Sequence, residues 1–178
     1  MSSVTIARNY AEALFELGER GGQTQLFAEL IDAVAGAVET TPQIQGVLMS
    51  PRVPKTEKAR ILAGALRDSP REFVLFLQAL VKRGRQALLR EIATECQALL
   101  DIKLNRVRAG VTLARPANEA LRRSIQEQLS RQLGKEVIAT FSTDPAILGG
   151  TVVRVGERIH DGSVRRRMTK LRRHLLAG

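Results

Sequence analysis

Apolar positions recur with a helical period through the first hundred residues, after which the period changes and β-like runs appear. Between Val4 and Arg20, the side chains of Ile6, Ala7, Tyr10, Ala11, Ala13, Leu14, Phe15 and Leu17 cover an arc of about 200°, where a one-sided surface helix needs about 100°. A helix this apolar either lies deep in a bundle or owns two seams. Ala7, Ala11 and Leu14 would then serve the core, and Ile6, Tyr10, Ala13 and Leu17 another chain. Gly21-Gly22 ends it. A second helix is predicted over Leu26–Val38, and Pro42 opens a short third with Ile44, Val47 and Leu48. Pro54-Lys55-Thr56-Glu57 starts a fourth. A fifth, Arg71–Lys82, has Gln78 as its only polar residue between Phe73 and Val81, which is again too apolar for one wet face. Gly84 stops it, and a sixth runs from Leu88 toward Leu104.

The second half reads differently. Val107–Ala114 is strand-like and Pro116 closes it; Asn118 caps a helix with Leu121, Ile125 and Leu129 on one face, stopped by Gly134. Glu136–Thr143 is a second strand. Thr151–Val155, a Gly156-Glu157 reversal and Arg158–His160 form a hairpin, because glycine accepts the positive φ that such a turn demands. Asp161-Gly162-Ser163 stops the last strand and caps a final helix, Val164–Leu176, with Ser163 or Asp161 as the N-cap. Gly162, between strand end and cap, is expected at positive φ. Gly149, Gly150 and Gly156 read as structural turns. The order strand–helix–strand–strand–strand–helix is a small α+β unit. The expected domains are residues 1–105, all helical, and 106–178.

Charge sharpens that division. Residues 1–105 carry 13 Lys/Arg against 12 Asp/Glu, and residues 106–178 carry 15 against 6, so almost all of the +10 net charge lies in the second half. An acidic partner is expected there. The final helix holds Arg165, Arg166, Arg167, Lys170, Arg172 and Arg173 with no acid. Such a helix could follow a phosphate backbone, but stacking aromatics are scarce: five Phe, one Tyr and no Trp in 178 residues. Its Val164, Met168, Leu171 and Leu175 form an i, i+4, i+7, i+11 seam, expected to pack on the sheet with the cations in water. A basic nucleic-acid-binding or adaptor protein is the alternative that charge alone favours.

Catalytic chemistry finds no support in the motifs. There is no GxxxxGK[ST] phosphate cradle, and Gly149, Gly150 and Gly156 do not make a GxGxxG. His160, His174 and Cys96 cannot build a zinc site at usual spacings. Cys96, among Ile92, Ala93, Leu99 and Leu100, is expected to be a buried small hydrophobe, in keeping with a reducing compartment. No apolar run is long enough to span a membrane. The first twenty residues lack a signal-peptide pattern and include Glu12, Glu16 and Glu19, so neither a secretory signal nor a transit peptide is expected.

Several of these motifs together resemble one family. Ala7-Arg8-Asn9-Tyr10-Ala11-Glu12-Ala13-Leu14-Phe15, Gly84-Arg85 after the fifth helix, Gly149-Gly150, and the closing Asp161–Arg167 (DGSVRRR) are similar, in that order, to the δ subunits of F-type ATP synthases, homologous to the mitochondrial oligomycin-sensitivity-conferring protein. The resemblance implies a six-helix bundle at residues 1–105 that holds the N-terminal helices of the alpha subunits. It implies a C-terminal α+β domain at 106–178 that joins the peripheral b stalk. The implied role is a non-catalytic stator clamp with no ATP, metal or proton site, no cofactor and no nucleic-acid partner. It would sit on the cytoplasmic side of a bacterial inner membrane, attached only through its complex. By family correspondence Tyr10, Ala13, Leu75 and Ala79 fall on the groove for the alpha-subunit helix; Leu75 fits an ordinary core position equally well.

Overall fold

The computed structural model describes residues 3–176, with side chains described as far as Arg173. The described residues form eight α-helices and a four-stranded mixed sheet, all helices first and then α+β. It divides into two compact units, the first ending at Asp101 and the second beginning at Ile102, within the last turn of the sixth helix.

The first unit contains α1 (Ser3–Arg20), α2 (Thr24–Thr40), α3 (Pro42–Met49), α4 (Lys55–Ala65), α5 (Arg71–Lys82) and α6 (Leu89–Lys103). Every one contributes to a single buried cluster. Ala7, Ala11 and Leu14 come from α1, Phe27 and Ile31 from α2, Leu48 from α3 and Leu62 from α4. Phe73, Leu77 and Leu80 come from α5, and Ile92 and Cys96 from α6. Phe27 and Phe73 meet at the centre, their rings 5.7 Å apart and tilted by 59°. Glycine allows the closest helix approach. A Cβ on Gly18 would come within 2.9 Å of the Thr24 Cα, so the turn from α1 into α2 can tighten only around a residue without a side chain. Two polar devices tie the surface. Arg90 on α6 donates to both carboxylate oxygens of Glu39 at 2.9 and 2.7 Å and to Asp32 at 2.7 Å, a fork geometry lysine cannot copy. Lys55 at the start of α4 donates to the Lys82 carbonyl at the end of α5, at 3.0 Å. Cys96 is fully buried, and desolvation pushes its thiol up to about 11, so it is a packing residue and not a thiolate nucleophile.

The second unit holds β1 (Arg106–Leu113), α7 (Glu119–Leu133), β2 (Glu136–Thr143), β3 (Thr151–Val155), β4 (Arg158–Asp161) and α8 (Val164–Leu176), with sheet order β2-β1-β3-β4. β1 and β2 are parallel in register Arg106↔Glu136 to Leu113↔Thr143, which requires the α7 crossover between them. β3 runs antiparallel to both β1 and β4. On β1, Ala109, Val111 and Leu113 are buried while Arg108 and Gly110 are exposed, the alternation of a sheet with one wet face. Asn118 caps α7 by accepting from the Leu121 N–H at 2.9 Å, and Gly134 ends it at φ 63°. α7 lies along β2, where Ser130 Oγ accepts from the Val137 N–H and the Arg122 guanidinium stands 5.6 Å over the Phe141 ring.

Two expectations for this unit are corrected. The seam of α8 does not pack on the sheet: Val164, Met168 and Leu171 are 39%, 58% and 61% exposed, and Leu175 lies outside the described side chains. The helix is instead pinned at its start, where the Val164 N–H donates to the Gly149 carbonyl, and it neighbours the turn at Pro145–Ile147. Gly162 is not among the positive-φ residues; its role is close approach, since a Cβ would sit 3.1 Å from the Thr151 carbonyl oxygen. The conformational demand falls on Gly150, at φ 80°, where a Cβ would lie 2.5 Å from the Gly162 carbonyl oxygen.

Candidate partner-binding surfaces

On α1 the burial divides the apolar residues into two sets. Ala7, Ala11 and Leu14 are fully buried, whereas Ile6, Tyr10 and Leu17 are only half-buried and Ala13 is exposed. The Tyr10 ring rests edge-on against Phe76 of α5, centroids 6.2 Å apart, so the core fixes its body and leaves its rim outward. Ile6, Asn9, Tyr10 and Ala13 line a groove of about 540 Å³ together with Arg83 and Arg85, just beyond the end of α5. Leu75 and Ala79 do not line that cavity, but both are exposed on α5, Leu75 by 51%. That removes Leu75 from the core. The apolar excess that the sequence showed on α1 and α5 is therefore surface left uncovered by this chain.

A second apolar groove, of about 380 Å³, was not anticipated. It runs between α2, α3 and α4 and is lined by residues such as Val34, Ile44, Val47, Ile61 and Ala65. Ile44 of α3 and Ile61 of α4 are exposed at it, apolar side chains that the packing of these helices leaves uncovered.

In the second unit the glycine and DGS residues form one corner. Gly156 takes φ 57° at the first turn position between β3 and β4, as a type II′ hairpin requires. Asp161 Oδ1 accepts from the Ser163 N–H at 2.9 Å, and Ser163 Oγ accepts from the Arg166 N–H at 3.2 Å. Ser163 is thus the N-cap of α8, and Asp161 holds the approach to it. Those hydrogen bonds from Ser163, aided by nearby Arg166, keep the Asp161 carboxyl below its ordinary value. Gly149 takes φ 159°, and a Cβ there would press on Val164 at 3.2 Å. Gly149, Gly150, Asp161, Gly162 and Ser163 thus converge on the start of α8, while Gly156 shapes the β3–β4 turn.

Beside that corner lies a groove of about 920 Å³, lined by Ile159, His160 and Asp161 on one side and by Arg166, Arg167, Lys170 and Arg173 on the other. Its character is electrostatic, with no acid among the described residues of α8. Among the described residues there is no cluster of histidine, cysteine and carboxylate able to hold a metal, and no helix is long and apolar enough to cross a membrane.

Comparison with known proteins gives these surfaces their context. Residues 6–175 match the family model for the ATP synthase delta (OSCP) subunit. ATP synthase subunit delta of Gemmatimonas aurantiaca is 42% identical over 172 residues, covering 96% of this chain and 93% of the relative. The same subunit of Desulforamulus reducens is 33% identical over 173 residues, covering 97% and 96%. In fold, the chain resembles one from the cryo-EM structure of the Toxoplasma gondii mitochondrial ATP synthase hexamer, with a TM-score of 0.71, 18% identity, and 97% and 98% of the two chains covered. This chain therefore belongs to the ATP synthase delta (OSCP) family, the non-catalytic peripheral-stalk subunits of F-type ATP synthases.

Proposed function

We propose that the first unit, as a six-helix bundle over residues 1–105, takes the N-terminal helix of an alpha subunit, and that residues 106–178 join the peripheral b stalk. The chain then ties the catalytic head to the stalk. Torque from the rotating central shaft would otherwise turn the head, and a clamp that resists it needs binding surfaces rather than an active site. In this reading the protein is peripheral, held at the cytoplasmic face of a bacterial membrane by its complex.

The observation that supports the first contact is the half-uncovered apolar seam of α1, together with the exposure of Leu75 and Ala79 on α5. An amphipathic helix laid into such a groove buries apolar area on both partners. Ala13 allows close backbone approach, and Tyr10 offers broad area with a polar tip. Arg83 and Arg85 at the groove would favour a carboxylate on the incoming helix.

Ala13→Asp tests this. The residue is exposed, so the bundle should keep its helicity and melting temperature. A desolvated, unpaired carboxylate should weaken binding of an alpha-subunit N-terminal peptide at least tenfold, about 1.4 kcal/mol. Unchanged peptide affinity would show that the seam faces no partner; loss of the fold would show that it is core.

A further inference from the structure

We propose that α8 is one strand of a heterotypic helix pair, and that its partner is a helix with apolar a and d positions and acidic e and g positions. This deepens the reading that the second unit takes the stalk, and rests on it. Val164, Met168 and Leu171 follow the 4-3 spacing of a heptad seam, d-a-d, and all three are exposed. At 3.6 residues per turn they occupy an arc of only about 60°. A helix lying in a membrane surface needs a broad apolar face, whereas a stripe restricted to a and d is the seam of a paired helix.

The flanks name the partner's charge. In this register Arg165 and Arg172 fall at e and Arg167 falls at g, so every e or g position among the described side chains is arginine. Those positions set partner choice in paired helices by salt bridging across the seam. A second copy of this chain would bring arginine against arginine, which excludes self-pairing. An acidic helix satisfies the seam and both flanks at once. Arg166, Lys170 and Arg173, on the far side of α8, line the groove beside β4 and are not needed for the pairing; Arg167 at g borders that groove as well, so Arg165 and Arg172 are the flank residues that stand clear of it.

The experiment uses the full chain and two labelled synthetic helices that share Ile at a and Leu at d. One carries Glu and the other Lys at every e and g position, and binding is read by fluorescence anisotropy. The Glu helix should bind and the Lys helix should not. Met168→Ser with Leu171→Ser should lower Glu-helix affinity at least tenfold with the melting temperature unchanged, because neither side chain is buried. Arg165→Glu, Arg167→Glu and Arg172→Glu together should reverse the preference toward the Lys helix. Equal binding of both helices, indifference to the serine pair, or no reversal would overturn the proposal. So would dimerisation of the chain through α8, or binding of α8 to phosphatidylglycerol vesicles in place of the Glu helix. If the serine variant still holds the native stalk through the second unit, the pairing is wrong while the stalk assignment stands. If cross-links place the stalk on α1 to α6, the assignment itself is wrong.

Discussion

The two units solve the problem of burying apolar surface in opposite ways. In the first, six helices bury a continuous cluster with three phenylalanines, Phe27, Phe73 and Phe76, and still leave apolar seams on α1 and α5. Its charge is nearly balanced. In the second, the buried apolar residues among those described are few: Ala109, Val111, Leu113, Val137 and Ile147. Neither α7 nor the described part of α8 has a fully buried residue, and nearly all the net charge of the protein is there. The first unit has core to spare and offers apolar contact. The second is a precisely cornered scaffold whose last helix is only partly used by its own domain. A single chain thus presents two chemically distinct handles, which suits a tie between two different partners.

The largest effect should come from cutting into the first core. Phe73→Ala removes a fully buried ring packed on Phe27 and should cost roughly 3–5 kcal/mol by denaturant unfolding. If it costs under 1 kcal/mol, the contrast between a strong and a weak core fails. Gly150→Ala comes next. Positive φ and the 2.5 Å clash with the Gly162 carbonyl together should cost about 2–4 kcal/mol and disorder the start of α8, whereas Gly162→Ala should be milder. Equal effects at the two glycines would return the conformational demand to Gly162.

Salt sharpens the same comparison at lower amplitude. Charges on the basic unit are screened beyond about 8–10 Å at physiological ionic strength, so rising salt should release the stalk before the alpha-subunit peptide. Release of both together, or of the peptide first, would exchange the partners between halves. The smallest effects lie at the cap. Ser163→Ala should cost about 1 kcal/mol by removing the acceptor for the Arg166 N–H. The depressed Asp161 carboxyl sets the sign of the pH dependence. Its contribution is complete above the ordinary carboxylate range and is lost as pH falls through the lowered folded value. Asp161→Asn should flatten that acid limb; an unchanged acid limb would remove the Asp161 to Ser163 bond from the account.

Periodicity and punctuation determined much of this protein. β-Branched runs and turn residues placed β1 to β4, proline and glycine bounded α3 to α5, Asn118 and Ser163 announced their caps, and the excess apolar arc on α1 announced a second seam. These signals are local, since each depends on residues within a turn or two of chain. The tertiary structure decided what distance in sequence hides. It decided Leu75, which the sequence left between groove and core, in favour of the surface, because α5 already fills the core with Phe73, Phe76, Leu77 and Leu80. It shifted the conformational strain from Gly162 to Gly150, because the carbonyl that forbids a side chain comes from twelve residues away. It opened the apolar groove between α2, α3 and α4 through their packing. And it left the seam of α8 exposed where the pattern alone implied burial, because a heptad stripe specifies that a helix will pair, while only the fold shows that its own sheet is not the partner.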